Sequence, residues 1–266
     1  MAETTEAVLV EVRGRVLIAT INRPEARNAV NQAVADGLGR AVQHADADDE
    51  IWAFIVTGAG DRAFSAGADL KAVPRAAGQP PPDPATQAWG FGGYVRHHIS
   101  KPTIAAVNGF ALGGGLELAL ASDLVVAADT ATFGLPEVKR GIFAAAGGAF
   151  RLPAQIPPKI AMEMMLTGEP VSAARALELG LVNRVVPRAQ VLAAALELAE
   201  AICQNAPLSV RVSKRIARAM IDSQVPAEDG SWERTSAEMA ALRQSADAAE
   251  GRRAFAEKRP PNWLGR

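Results

Sequence analysis

Residues 7–21 alternate apolar and polar positions, are rich in Val, Leu and Ile, and carry Gly14 at their centre. This pattern predicts two short strands joined by a turn. Asn22-Arg23-Pro24 closes the second strand, and residues 31–46 follow with helical spacing, Asn28 or Asn31 being the candidate N-cap. Continuous apolar runs at 52–57, 103–107 and 124–127 predict buried strands, each leading through a Gly-containing turn into a helical stretch. The rhythm of strand, turn and helix predicts an α/β fold with mostly parallel pairing. Residues 74–85 hold Pro74, Gly78, Pro80, Pro81, Pro82 and Pro84, which rule out regular helix or strand. A mobile loop is expected there, either a lid or pocket wall or a plain surface loop. Residues 171–180 read as a helix ending at Gly180, and 181–186 as a strand ending at Pro187. Beyond it the pattern is helical, at 189–204, 208–222 and 236–258, with fewer glycines and more charge than the core. A core at residues 1–200 and a helical region at 201–266 are therefore expected, the latter packing as a separate layer or reaching onto a neighbouring subunit.

Charged residues make up 21% and hydrophobic ones 49% of the 266 residues, a balance that suits a globular chain able to bury a sizeable core. The formal net charge of −1 supplies no bulk field for nucleic acid or an anionic membrane. Cys203 is the single cysteine, so an intrachain disulfide and a thiolate metal cluster are excluded and a reducing, cytoplasmic setting is expected. The first eleven residues carry Glu3, Glu6 and Glu11 without a basic segment, unlike a secretory signal. The longest apolar stretch, 103–128, is interrupted by Asn108, Glu117, Ser122, Asp123 and three consecutive glycines. It reads as a buried strand and helix rather than a membrane span.

Three features carry candidate chemistry. Phe64-Ser65-Ala66-Gly67-Ala68-Asp69-Leu70-Lys71 follows the strand at 52–57. Its small residues let a ligand approach the backbone, and a helix beginning near Ala68 would aim free N–H groups at an anion. An ordinary turn with Gly for positive φ accounts for the same residues. Asn108 to Glu117 holds Gly113-Gly114-Gly115 after the strand at 103–107. Three ordered glycines cost roughly 0.5–1 kcal/mol each in a helix, offset either by exposed N–H groups that bind developing negative charge or by tight packing. Neither a P-loop nor a Gly-x-Gly-x-x-Gly motif fits this spacing. The third feature is the carboxylate pair Glu117, within an apolar helix, and Glu137, after Pro136. Facing one cavity, they would divide general acid and base duties; alone, each would be solvated or salt-bridged.

Together these features resemble the enoyl-CoA hydratase/isomerase (crotonase) superfamily, from about Val8 to the C-terminus. The core of the resemblance runs from Lys101-Pro102-Thr103 through Gly113-Gly114-Gly115 to Glu117. Residues 21–29, Ile-Asn-Arg-Pro-Glu-Ala-Arg-Asn-Ala, resemble the family's CoA-contacting segment, and Phe255-Ala256-Glu257-Lys258-Arg259 its C-terminal one. The resemblance implies a spiral of ββα units with a C-terminal helical trimerisation region. It implies an oxyanion hole of the Ala68 and Gly114 N–H groups, with Glu117 and Glu137 as the acid/base residues of the hydratases. It further implies CoA contacts from Ala26, Arg27, Ala66, Asp69, Leu70, Phe255 and Lys258, the last two coming in some members from a neighbouring subunit. The implied activity is reversible addition of water to a 2-enoyl-CoA, with no cofactor, since coenzyme A is part of the substrate. The implied assembly is a trimer or a dimer of trimers.

One segment departs from the pattern. Hydratases usually read Gly-x-x-Pro-Gly-x-Gly-Gly where this chain has Gly141-Ile142-Phe143-Ala144-Ala145-Ala146-Gly147-Gly148. Ala145 replaces a Gly whose N–H helps hold the catalytic water, and Phe143 is bulky beside the expected acyl pocket. The C-terminal residues 254–266, with Leu135-Pro136-Glu137 and Arg151-Leu152-Pro153, resemble the carnitinyl-CoA dehydratases. Those enzymes commonly have Trp where this chain has Ala68, so the general hydratase ranks first, with the carnitinyl-CoA dehydratase and enoyl-CoA isomerase as alternatives. His44, His97 and His98 show no metal-ligand spacing and are expected at the surface or in loops. Ser65 and Ser122 lack a nucleophile elbow. Arg211, Lys214, Arg215 and Arg218 fall on one helical face, expected to be solvated. Attraction of CoA phosphates is one functional alternative for that face. Another is RNA binding, as in a partner-binding crotonase scaffold with little catalysis, though nucleic acid is not expected given both Glu residues.

Overall fold

The computed structural model describes residues 6–70 and 87–266; the loop expected at 74–85 lies outside them. Strands β1 (Val8–Arg13) and β2 (Val16–Ile21) form the expected antiparallel hairpin, with Gly14 at φ 58° in its turn. Helix α1 (Gln32–Ala47) is capped by Asn31, whose side chain accepts the Val34 N–H at 3.1 Å. Its Val34, Leu38, Ala41, Val42 and Ala45 are buried at helical spacing.

The chain then alternates between two sheets. Strands β3 (Ala53–Gly58), β5 (Thr103–Val107) and β7 (Leu124–Ala128) enter the larger one, in the order β1-β2-β3-β5-β7-β10, where β10 is Arg184–Val186. Strands β4 (Ala63–Ser65), β6 (Phe110–Leu112) and β8 (Thr132–Gly134) enter the smaller, in the order β4-β6-β8-β9, where β9 is Val171–Ser172. Pairing is parallel throughout except at β1–β2 and β8–β9. Each circuit lays one strand in each sheet, which is the spiral the resemblance implies. The buried apolar runs are what parallel strands covered on both faces require. Helix α2 (Gly114–Ala121) follows β6. Helices α3 (Gly148–Gln155), α4 (Pro158–Thr167), α5 (Ala173–Glu178), α6 (Val191–Cys203), α7 (Pro207–Ala217), α8 (Asp229–Leu242) and α9 (Ala246–Glu257) complete the described chain. Among the described residues no single helix is long and apolar enough to cross a membrane.

Several expectations change. The helix expected at 171–180 begins with two strand residues, after which Ser172 caps α5 through the Arg175 N–H. The strand expected at 181–186 shortens to β10. The single helix expected at 236–258 is two helices, α8 starting earlier and α9 starting afresh where Ser245 accepts the Ala248 N–H. A serine hydroxyl that can cap competes with helix continuation. Nor is the basic face of α7 solvated. Lys214 Nζ lies 2.7 Å and Arg218 Nε 3.2 Å from the Asp123 carboxylate, while Arg211 donates to Ser100 Oγ. Burial would raise the Asp123 carboxyl, but Lys214 and Arg218 outweigh it and hold it below the usual range. His97 and His98 occupy a loop but are half-buried, His97 stacking on Trp89 with ring centroids 4.1 Å apart.

Candidate active site

Two backbone turns meet at the top of the smaller sheet. After β4, Ser65 Oγ donates to Asn28 O and accepts the Gly67 N–H, and Gly67 turns the chain at φ 82°. Val30 then brackets Ala68: its N–H donates to Gly67 O at 2.8 Å and its carbonyl accepts from Asp69 at 3.0 Å. Ala68 sits in an isolated bridge, exposed, with its own N–H bonded to no backbone carbonyl among the described residues; the residues after Leu70, over which a helix beginning near Ala68 would run, lie outside those described.

After β6, Gly113 at φ 57° donates to Gly134 O and starts α2. The Gly114 N–H is the first of the helix and has no intrahelical acceptor, nor any other backbone acceptor among the described residues. A Cβ on Gly114 would stand 2.4 Å from the Phe91 ring, and one on Gly115 2.1 Å from Ser65 O. Tight packing therefore accounts for glycine at 114 and 115, and the helix-start amide of Gly114 is left without a backbone acceptor among the described residues.

Glu117 lies in the first turn of α2, 3% exposed, and its Oε1 accepts the Gly148 N–H at the start of α3 at 2.9 Å. Glu137 sits on a short 3-10 helix, Pro136–Arg140, after β8. Its Oε1 would be 3.0 Å from a Cβ on Gly113, and its Oε2 is buried without a hydrogen-bond partner among the described residues. Burial, reinforced by the charge of Glu137, pushes the Glu117 carboxyl up to about 8, against the opposing Gly148 and Ala146 N–H groups and Arg151. Burial pushes Glu137 up to about 7. Two carboxyls so raised near neutrality can hold one proton between them and exchange it with a ligand.

The remaining expected residues fall in two places. Ala66 donates to Arg27 O at 3.0 Å, which sets 66 beside the 26–27 turn, where Arg27 and Asn28 have φ of 56° and 53°. Asp69 is held by Arg23 Nη1 at 2.8 Å, and the same nitrogen donates to Ala29 O. Asp69 thus ties this turn in place rather than standing free. Leu70 is 57% exposed beside it. Asn28 is fully buried and bonds the carbonyls of Ala59 and Ala63. Phe255 and Lys258 are elsewhere, on α9 and its C-cap. Arg140 lies 4.5 Å over the Phe255 ring, so α9 packs on the 3-10 helix that carries Glu137.

Sequence reasoning left Gly148 and Ala146 without a role toward Glu117, and noted Arg151 only as part of the segment Arg151-Leu152-Pro153, with no partner or role. Arg151 is 3% exposed and clamps Glu228 through Nε and Nη2 at 2.9 and 2.6 Å. A buried Arg after a Gly-Gly turn was the available signal, but its partner lies far along the chain.

Comparison with known proteins gives a consistent picture. Residues 11–266 match the family described as Enoyl-CoA hydratase/isomerase. A carnitinyl-CoA dehydratase of Salmonella enteritidis PT4 is 42% identical over 98% of this chain and all of its own. The crystal structure of a carnitinyl-CoA hydratase from Mycobacterium avium superposes with a TM-score of 0.95 at 57% identity, covering 99% of this chain and 100% of that one. A carnitinyl-CoA dehydratase structure from Mycobacterium avium 104 gives 0.93 at 59% identity over 98% and 100%.

Proposed function

Since this chain belongs to the enoyl-CoA hydratase/isomerase family, we propose that it is an enoyl-CoA hydratase, adding water reversibly across the double bond of a 2-enoyl-CoA. The observation that carries the reading is the contact between the Gly67–Ala68 and Gly113–Gly114 turns, beside a carboxyl pair held near neutrality. The thioester carbonyl sits between the Ala68 and Gly114 N–H groups. Glu117 orients water and takes its proton as oxygen bonds to Cβ, and the electron pair moves onto the thioester oxygen as an enolate. Glu137 delivers a proton to Cα, and the enolate collapses to the 3-hydroxyacyl-CoA. Donors aimed at that oxygen act most strongly when it carries charge; losing one costs roughly 2.7–4 kcal/mol in comparable sites. No cofactor takes part, and the coenzyme A moiety lies along Ala26, Arg27, Ala66 and Leu70. Phe255 and Lys258 reach CoA across a subunit boundary in a trimer or a dimer of trimers.

The names of the relatives favour a second reading, in which the same hydro-lyase chemistry acts on carnitinyl-CoA. Crotonyl-CoA hydration and carnitinyl-CoA dehydration, assayed side by side in the wild type, Glu117→Gln and Glu137→Gln, test both. The proposal expects both variants to lose activity and oxygen from labelled water to enter the product. Wild-type rates in both variants would overturn the two-carboxyl mechanism, and double-bond migration without oxygen incorporation would make the enzyme an isomerase.

A further inference from the structure

The N-terminus of α3 does two things at once. Its first residue, Gly148, donates to Glu117 Oε1 at 2.9 Å. One turn later Arg151 folds back along that end, with Nη1 3.2 Å from the place a Cβ on Gly147 would occupy. Gly147 is at φ 106°, so the turn leaves room for the guanidinium. The other two nitrogens of the fork grip Glu228, the residue that leads into α8. Trp232, in the first turn of α8, donates from Nε1 to the same carboxylate at 3.2 Å and stands edge-on to Phe150 with centroids 4.9 Å apart.

From this geometry we infer that Arg151 and Glu228 are a positioning pair, through which α8 sets the placement and the charge environment of the Glu117 carboxyl. The inference rests on the acid–base role proposed for Glu117. A buried guanidinium is tolerated only when paired, and a two-pronged grip fixes its plane as well as its position. Here the plane sets the start of α3, and hence the N–H that Glu117 leans on. Arg151 Nη1 has no hydrogen-bond partner among the described residues, so it is the one nitrogen of the fork that Glu228 does not engage.

The charged groups around the pair are few. Glu137 faces Glu117, and Arg151 opposes the effect of its charge. His98 Nε2 is 4.0 Å from Glu228, and Lys214 and Arg218 act on His98 from α7 and its end. Arg96 covers the Trp232 ring at 5.0 Å. Burial would raise the Glu228 carboxyl, but the Arg151 fork outweighs it and keeps it ionised.

The sign of the coupling separates this role from a structural one. Titrating the Glu117 carboxyl by difference infrared spectroscopy in the ligand-free protein, with Glu117→Gln to identify its band, reads it directly. Arg151→Gln removes the neighbouring positive charge, so the band should titrate at higher pH. Glu228→Gln leaves the guanidinium unopposed, so the band should titrate at lower pH. Each shift should be about half a unit or more, and the double variant should return toward wild type. If Arg151→Gln does not fold, Glu228→Gln and Arg151→Lys, which keeps the charge but loses the fork, carry the same comparison: a downward shift in the first and little in the second. Folded Glu228→Gln titrating as wild type would overturn the coupling. Wild-type hydration by Glu117→Gln would instead overturn the acid–base role on which the inference rests, whatever the titrations show.

Discussion

A Cβ on Gly67 would stand 2.7 Å from the amide nitrogen of Gly114 and 2.9 Å from Leu112 O. Gly67 is therefore glycine for two reasons, its φ of 82° and the passage of a second turn against its Cα. That contact sets the two turns against each other, and the amides that follow each glycine are the pair proposed to meet the thioester oxygen. It gives a clean test at Ala68, whose N–H is used by neither bond that Val30 makes around it. Ala68→Pro deletes the donor, and Gly67 before it tolerates the altered backbone. The expected result is a fall in kcat of about 10²–10³-fold with little change in Tm, measured by steady-state hydration and calorimetry.

The carboxyl pair should cost stability in the pH range where it is proposed to act. Both carboxyls are raised from 4.5, to about 8 and about 7, so between those values the folded chain binds more protons than the unfolded one. Stability from this source is present below about pH 4.5 and is lost as pH rises through 7 to 8. Glu137→Gln and Glu117→Gln should then melt at higher temperature than wild type at pH 8, and no higher at pH 4. Thermal melts across that range check the sign.

The histidines act in the other direction. Burial pushes His97 and His98 down to about 4 from 6.5, so below 6.5 the unfolded chain binds the extra protons. The stability from their neutral burial is complete above about pH 6.5 and falls as pH drops toward 4. His97→Phe retains a flat ring against Trp89 and cannot charge. Its urea-unfolding free energy should fall less steeply than wild type between pH 6.5 and 4.5.

Arg23 holds the 26–29 turn to Asp69 through one nitrogen that serves both Ala29 O and the carboxylate, with side-chain exposures of 20% and 12%. Removing Arg23 takes both of these bonds from the turn at once. Arg23→Ala should raise the KM for acyl-CoA several-fold and lower kcat less, because the turn proposed to meet CoA loosens while the carboxyl pair is untouched. Steady-state kinetics with a fixed acyl group and varied CoA ester concentration read the split.

Much of the fold and of the candidate site was legible along the chain. The β1–β2 hairpin, α1 with its Asn31 cap, and the buried strands β3, β5 and β7 follow from alternation, apolar runs and cap chemistry, each contained within a few residues. The two glycine turns and the carboxyls at 117 and 137 stood out because small residues and charge interrupt apolar segments there. The break between α8 and α9 was missed because helical periodicity continues across it, while the Ser245 cap competes only locally.

What the sequence determined by itself was the local conformational menu: which segments extend, which coil, and where only glycine can turn. Partners were decided by the tertiary structure. Asp123 neutralises a face of α7 that reads as solvated, Gly148 supplies the N–H on Glu117, and Glu228 grips Arg151. Backbone preferences act over a few residues and leave a mark in residue order. A buried charge or donor must find its complement wherever packing of the core happens to bring one, and that choice is made only when the sheets and helices close on each other.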